Sequence, residues 1–216
     1  MDAHRLFEEP IRFSEGLELS KDLIIERIRN ANTRALDVGC GSGALLELMS
    51  KYPVEVYGLD IRLSLNDTTR AKGIVADANN LPFRNRSFDL ITSIGLMDSL
   101  TITQIKSVLG EIYSALSDDG TLVFVDINYY SPFIRIPNFY HAYKRTILTP
   151  KKWIQIMKEC RFKDLVITKR GKAANKRFPR VIRFLIDKLV PNRMADRITI
   201  LAQKQIEKSR SIPLRN

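Results

Sequence analysis

A strand that runs into alternating glycines and then into a helix leaves a chain few folds to choose from. Residues 36–46, Leu-Asp-Val-Gly-Cys-Gly-Ser-Gly-Ala-Leu-Leu, read that way. The apolar run over 34–38 suits a buried strand, residues 44–49 suit a helix, and Gly39, Gly41 and Gly43 lie between them. Such a turn brings backbone close to a ligand at the carboxyl edge of a parallel sheet. Further strands are expected over 55–60, 73–77, 88–93, 121–125, 164–168 and 197–202. Ser20 is placed to cap a first helix carrying Leu23, Ile24, Ile25 and Ile28. Ile105, Val108, Leu109, Ile112 and Leu116 recur at helical spacing, ahead of an expected turn at Asp118-Asp119-Gly120. Thr149-Pro150 reads as an N-cap followed by proline at the first helical position, opening a helix through Cys160. Strands alternating with helices predict an α/β fold, a mostly parallel sheet with helices on both faces.

Read loosely, Gly39, Gly41 and Ala44 also satisfy a dinucleotide fingerprint, with Asp60 at a suitable distance. The acids separate the two readings. Asp37 lies two residues before the first glycine, close to where a pyrophosphate would sit, and a carboxylate there repels phosphate. It suits an ammonium or a sulfonium instead. Asp60 ends the second strand, where a carboxylate can accept from both ribose hydroxyls. Asp77 and Ala78 follow the third strand, placed to take an adenine amino group. A cationic nucleoside with an amino-acid tail suits all three acids, and S-adenosylmethionine is such a molecule. Other residues read as architecture: Cys40 as a small packing residue, Asp118 and Asp119 as turn residues, Asp67 as a solvated acid. Asp89 reads equally as a cap at the start of its strand, and nothing near His4 suggests a metal site.

Taken together these segments resemble the class I S-adenosylmethionine-dependent methyltransferases, and within them the type-11 branch of small-molecule and quinone-biosynthesis enzymes. LDVGCGSGALL is similar to their first motif and YGLDI to their acidic strand end. VADANNLPFRNRSFDLITS resembles the third and fourth motifs, and LSDDGTLVFVDIN the turn and strand that follow. The resemblance covers about residues 34–168, with the final strand at 197–204. It implies a Rossmann-like seven-stranded sheet ordered 3-2-1-4-5-7-6, with strand 7 antiparallel. It implies S-adenosylmethionine as cofactor, with Gly39, Cys40, Gly41 and Gly43 passing beneath its methionine and ribose. Asp37 would then face the amino group, Asp60 hold the ribose and Ile61 pack on the adenine. Asp77 and Ala78 would contact the adenine edge, and Ser93 would sit beside the methionine moiety.

The chain has 216 residues, enough for a single methyltransferase domain over 1–216 with a core that needs no staples. Cys40 and Cys160 alone form neither a disulfide framework nor a four-ligand zinc cluster. The acid-bearing first residues carry no apolar leader, and no run approaches the ~20 residues that span a bilayer. A cytoplasmic protein is therefore expected. Its net charge of +11 is uneven: residues 1–150 carry 16 basic and 19 acidic side chains, residues 151–216 carry 19 and 5. That basic flank suits an anionic partner, or a peripheral position at an anionic membrane surface.

Beyond an N-terminal arm and helix over 1–33, two segments bear on the acceptor. Residues 126–150 hold four of the seven tyrosines with Phe133, Phe139 and His141, and follow the fifth strand. They are expected to form an aromatic lid over an apolar or ring-shaped acceptor, with His141 as candidate general base and Tyr129 and Tyr130 behind it. Packing of these rings onto the body is the plainer alternative. Residues 169–196 form an insertion between the last two strands, long for a hairpin loop. On a helical wheel Phe178, Val181, Ile182, Leu185, Ile186 and Leu189 share one face. Arg180, Arg183 and Asp187 lie opposite, as in a basic amphipathic helix that meets a membrane or a partner. Docking of that apolar face on the protein's own core is the alternative. The function expected is methyl transfer to a small-molecule or lipid-like acceptor by in-line displacement. RNA methylation through the basic flank stands second, a non-catalytic adenosyl-binding partner protein third, and a nicotinamide-dependent dehydrogenase last.

Overall fold

The structure is a computed structural model and describes residues 20–28, 32–63, 65, 71–131, 146–170 and 197–204. Seven strands form its sheet: β1 (Arg34–Val38), β2 (Glu55–Asp60), β3 (Lys72–Val75), β4 (Phe88–Ile94), β5 (Leu116–Ile127), β6 (Phe162–Arg170) and β7 (Arg197–Lys204). Their order is β3-β2-β1-β4-β5-β7-β6. Strands β1 to β5 run parallel, and β7 is antiparallel to both its neighbours. Four helices are described: α1 over 20–27, α2 (Ala44–Met49), α3 (Ile102–Ala115) and α4 (Pro150–Glu159). The Rossmann-like order and the reversed seventh strand are those that the resemblance implies. Among the described residues no helix is long and apolar enough to cross a membrane.

Both faces of the sheet are covered, which is why its strands read as near-continuous apolar runs. Successive strand residues point to opposite faces, and the core divides accordingly. Leu36, Val38, Ile91, Leu122, Phe124, Ile198 and Ile200 pack with Ile105, Val108, Leu109 and Ile112 of α3 and with Trp153, Ile156 and Met157 of α4. Ala35, Val56, Leu90, Val123 and Leu201 pack with Ile24 of α1 and Leu45, Leu46 and Met49 of α2. Trp153 is fully buried, its ring centroid 4.9 Å from that of Phe124.

Helix starts follow sequence chemistry closely. Thr101 accepts from the Gln104 amide, while the Gln104 side chain reaches back to the Thr101 amide, a reciprocal capping box. Thr149 accepts from the Lys152 amide at 3.2 Å, with Pro150 at the first helical position. Thr149→Ala is expected to cost about 1 kcal/mol, read as a lower urea midpoint with an unchanged slope.

Three expectations change. Ser20 lies within the helix and is fully buried. Asp118-Asp119-Gly120 does not end an element. It forms a kink inside β5, where pairing passes from Phe88↔Leu116 to Leu90↔Thr121. The kink is held from outside: Arg86 Nε donates to Asp118 Oδ1 at 2.9 Å, and Lys204 Nζ donates to the Leu116 carbonyl at 2.8 Å. Strand β6 runs on to Arg170, so the expected basic insertion begins after it, not at 169. The remainder of that insertion, the N-terminal arm before residue 20 and residues 132–145 of the aromatic segment lie outside the described residues.

Candidate functional site

The site is built where β1 gives way to α2. Gly39, Gly41 and Gly43 have φ of +78°, +51° and +82°, conformations that L side chains resist. A Cβ on Gly39 would meet Leu96 Cβ at 3.0 Å, whereas one on Gly41 would project into open space. The first glycine therefore serves packing, and the second leaves an approach for a ligand. The turn is tied to β2, since the amides of Gly39 and Cys40 both donate to the Leu59 carbonyl at 2.8 and 3.1 Å. Helix α2 comes so close to β2 that a Cβ on Gly58 would lie 2.3 Å from Leu46 Cδ1.

Two carboxylates flank this turn on the α2 face of the sheet. Asp60, half-buried at the end of β2, accepts from the Gly41 amide at 2.9 Å and from the Arg62 amide at 2.8 Å. It closes the glycine turn onto β2 while keeping lone pairs for further donors. Asp37, near the end of β1, is 1% exposed. Its Oδ1 accepts from Thr92 Oγ1 at 2.8 Å, and its Oδ2 meets no hydrogen-bond partner among the described residues. Burial pushes the Asp37 carboxyl up to about 7, the Thr92 hydroxyl pulls it down, and the charge of Asp60 adds to the rise. Cys40 is buried beside both acids, and burial followed by their charges pushes its thiol up to about 12. It is a packing residue there, inert as a nucleophile at neutral pH.

The other expected residues distribute around this centre. Ile61 follows Asp60 and is 68% exposed, as is Val75, which the β2–β3 register sets opposite Asp60. Two large apolar side chains are thus bare at one end of the sheet. Asp77 is exposed, and its Oδ1 accepts from the amide and the side chain of Asn79, both at 2.9 Å. Those bonds hold its carboxyl below the usual range. Ala78 is half-buried against the core. Ser93 is buried, and its hydroxyl meets no hydrogen-bond partner among the described residues. Strand alternation turns it to the face opposite Thr92, so the structure does not bring Ser93 together with Asp37. Asp89 accepts from the Arg34 amide at 2.9 Å and from Ser117 Oγ at 3.2 Å, satisfying its own strand start at the far end from the glycine turn.

Tyr129 and Tyr130 follow β5 at the carboxyl edge, 42% and 48% exposed, with centroids 5.4 Å apart. His141 lies outside the described residues. Thr92 and Val75 are the residues that sequence reasoning missed. A threonine at the fifth position of an apolar strand reads as an ordinary β-former, and only its register opposite Asp37 reveals it.

A family model described as a methyltransferase domain matches residues 36–124. The chain is 32% identical over 116 residues to an uncharacterized protein of Methanocaldococcus jannaschii, covering 52% of this chain and 43% of that one. It is 27% identical over 176 residues to a phosphoethanolamine N-methyltransferase of Plasmodium falciparum, covering 74% of this chain and 65% of that one. The chain thus spans less than two thirds of the length of either relative. Among solved structures, it superimposes on a SAM-dependent methyltransferase from Archaeoglobus fulgidus with a TM-score of 0.61 at 24% identity, over 94% of this chain and all of that one. The matched segment spans the glycine turn, both carboxylates and the strands that carry them, and over it the chain is similar to a methyltransferase domain.

Proposed function

We propose that this protein transfers the methyl group of S-adenosylmethionine to a small or lipid-like acceptor. One observation carries the cofactor part of that reading. Asp37 is a buried carboxylate with an idle oxygen, beside a second carboxylate, under a turn that opens at Gly41. A site of two acids repels pyrophosphate and suits a ligand with cationic groups, so the residues present fit the family's cofactor. Asp60 would receive the ribose hydroxyls, Ile61 and Val75 would flank the adenine, and Asp77 with Ala78 would meet its edge. Gly39, Cys40, Gly41 and Gly43 would pass beneath the remainder, with Ser93 farther off on the opposite face of the sheet.

Bound S-adenosylmethionine supplies a methyl on a sulfonium, an electrophile with a good leaving group. The chain has three tasks: to hold the cofactor rigidly, to align the acceptor at about 3 Å, and to exclude water. Gly39, Cys40 and Asp60 meet the first by tying the glycine turn to β2. Tyr129 and Tyr130, which follow β5, would stand where an acceptor enters, and His141 is the candidate base should that acceptor need to lose a proton. The alignment with a phosphoethanolamine N-methyltransferase over most of this chain supports a small acceptor. The basic flank is consistent with an acceptor that is anionic or held at an anionic surface.

Calorimetric titration with S-adenosylmethionine, S-adenosylhomocysteine and NAD, followed by labelled methyl transfer to small amines, phenols, quinones and lipids, tests this. Micromolar binding of the adenosyl ligands alone is expected, with transfer to one small acceptor class. Transfer confined to RNA, with binding that collapses as salt rises from about 50 to 200 mM, would replace this acceptor reading with the nucleic-acid one.

A further inference from the structure

Asp37 and Thr92 stand opposite each other in the β1–β4 ladder, and both are buried to 1% or less. The Thr92 hydroxyl has one proton, and at 2.8 Å from Asp37 Oδ1 it is given to the carboxylate; the Leu36 carbonyl lies farther off at 3.4 Å. The second carboxylate oxygen has no partner among the described residues. A buried carboxylate left half-bonded is costly unless it is neutral or matched by a cation. Among the described residues, the groups that bear on it do not supply one. From β4 comes the neutral Thr92, from β2 the like-charged Asp60, and from the glycine turn the Cys40 thiol, held neutral.

We propose that cofactor binding is coupled to the release of one proton from Asp37, with Thr92 as the positioning residue that clamps one carboxylate oxygen so that the other serves the cofactor's ammonium end. This coupling rests on the adenosyl-cofactor reading above. In the cofactor-free protein at low pH, Asp37 is a neutral acid. On binding, its O–H bond breaks, the proton passes to the buffer, and the carboxylate is left matched to the ammonium charge.

The carboxyl's rise to about 7 in the free protein sets the sign and the window. Below that pH the proton must be removed before the cation is matched, so affinity falls by roughly tenfold for each pH unit below 7. Above it, affinity levels off. Removing the Thr92 hydroxyl removes the one influence that holds the carboxyl down, so the fall should begin at a higher pH.

The test is calorimetric titration of the full chain with S-adenosylhomocysteine from about pH 5.5 to 7.5. Across that range an ordinary α-amino group, with a pKa of about 7.7 to 8.0, stays mostly protonated. Buffers of contrasting ionisation heat report the protons released. Nearly one proton per ligand is expected at the acid end, falling toward none at the other, where uptake by the ligand's own amine offsets what Asp37 still releases. 5′-Methylthioadenosine, which lacks the amino-acid tail, should bind without that release. Thr92→Val should shift the midpoint upward and Thr92→Ser should restore it, whereas a merely structural role would weaken binding equally at every pH. Should Thr92→Val fail to fold, Asp37→Asn decides, because its binding should be free of proton release across the range. Binding by the parent without proton release, or a Thr92→Val midpoint equal to the parent's, would overturn the coupling while leaving the cofactor reading intact. No adenosyl binding at any pH would overturn both.

Discussion

Asp60→Ala is expected to weaken S-adenosylmethionine binding by about two orders of magnitude. The carboxylate holds the Gly41 and Arg62 amides at 2.9 and 2.8 Å, and a hydrogen bond to a charged group contributes about 1.5–3 kcal/mol. Alanine removes both bonds, frees the glycine turn from the end of β2, and deletes the acceptor that the ribose hydroxyls would use. A combined loss of about 3 kcal/mol corresponds to roughly a hundredfold in affinity. Asp60→Asn should fall between parent and alanine. Its amide keeps one acceptor oxygen but turns an NH₂ toward a backbone donor. Titration with both adenosyl ligands, alongside circular dichroism to show that the variants fold, is the check. An alanine variant that binds within a few-fold of the parent would remove Asp60 from the ribose role.

The second large effect concerns stability. Asp37→Asn should make the cofactor-free protein more stable at pH 8 and leave it little changed at pH 4. The carboxyl's ordinary value is 3.8 and the folded environment raises it to about 7, chiefly through burial. Because the folded value is the higher one, the folded state holds a proton that the unfolded chain has already lost. Stability from this group therefore declines as pH rises from about 4 to 7, and the penalty is complete above 7. A shift of about three units bounds that penalty at about 4 kcal/mol, from which the asparagine variant's own unpartnered amide subtracts. Urea melts of parent and variant at pH 5 and 8 should diverge with pH, the parent losing stability relative to the variant. The order should narrow or reverse with S-adenosylhomocysteine, because the ligand supplies the counter-charge that only the carboxylate uses. Melts that differ by the same amount at both pH values would show that Asp37 is not buried as an acid.

Much of the site was legible because its constraints are local. Glycines at 39, 41 and 43 are written into a single turn whose φ values of +51° to +82° demand them, and strand-end acids follow from counting along each strand. What misled is equally local. Asp118-Asp119-Gly120 has the composition of a turn, and the chain does kink there. Arg86 and Lys204, remote in sequence, grip both sides so that β5 continues through it. Ser93, expected beside the methionine moiety, follows Thr92 by one residue and so lies on the other face of β4.

By itself, the sequence determined the class of fold, the glycine turn, the helix cap at Thr149, and a choice of acids that suits a cationic nucleoside. These rest on periodicity, backbone conformation and short-range hydrogen bonding, which act over a few residues. Only the tertiary structure decided how the acids differ. Asp60 holds two backbone amides with lone pairs to spare, Asp77 is exposed and bound to its own turn, and Asp89 serves the far end of the sheet. Asp37 alone is sealed beside Thr92 with an oxygen to spare. Burial and register across β1 and β4 set those differences, because the free energy of a carboxylate depends on what surrounds it in space.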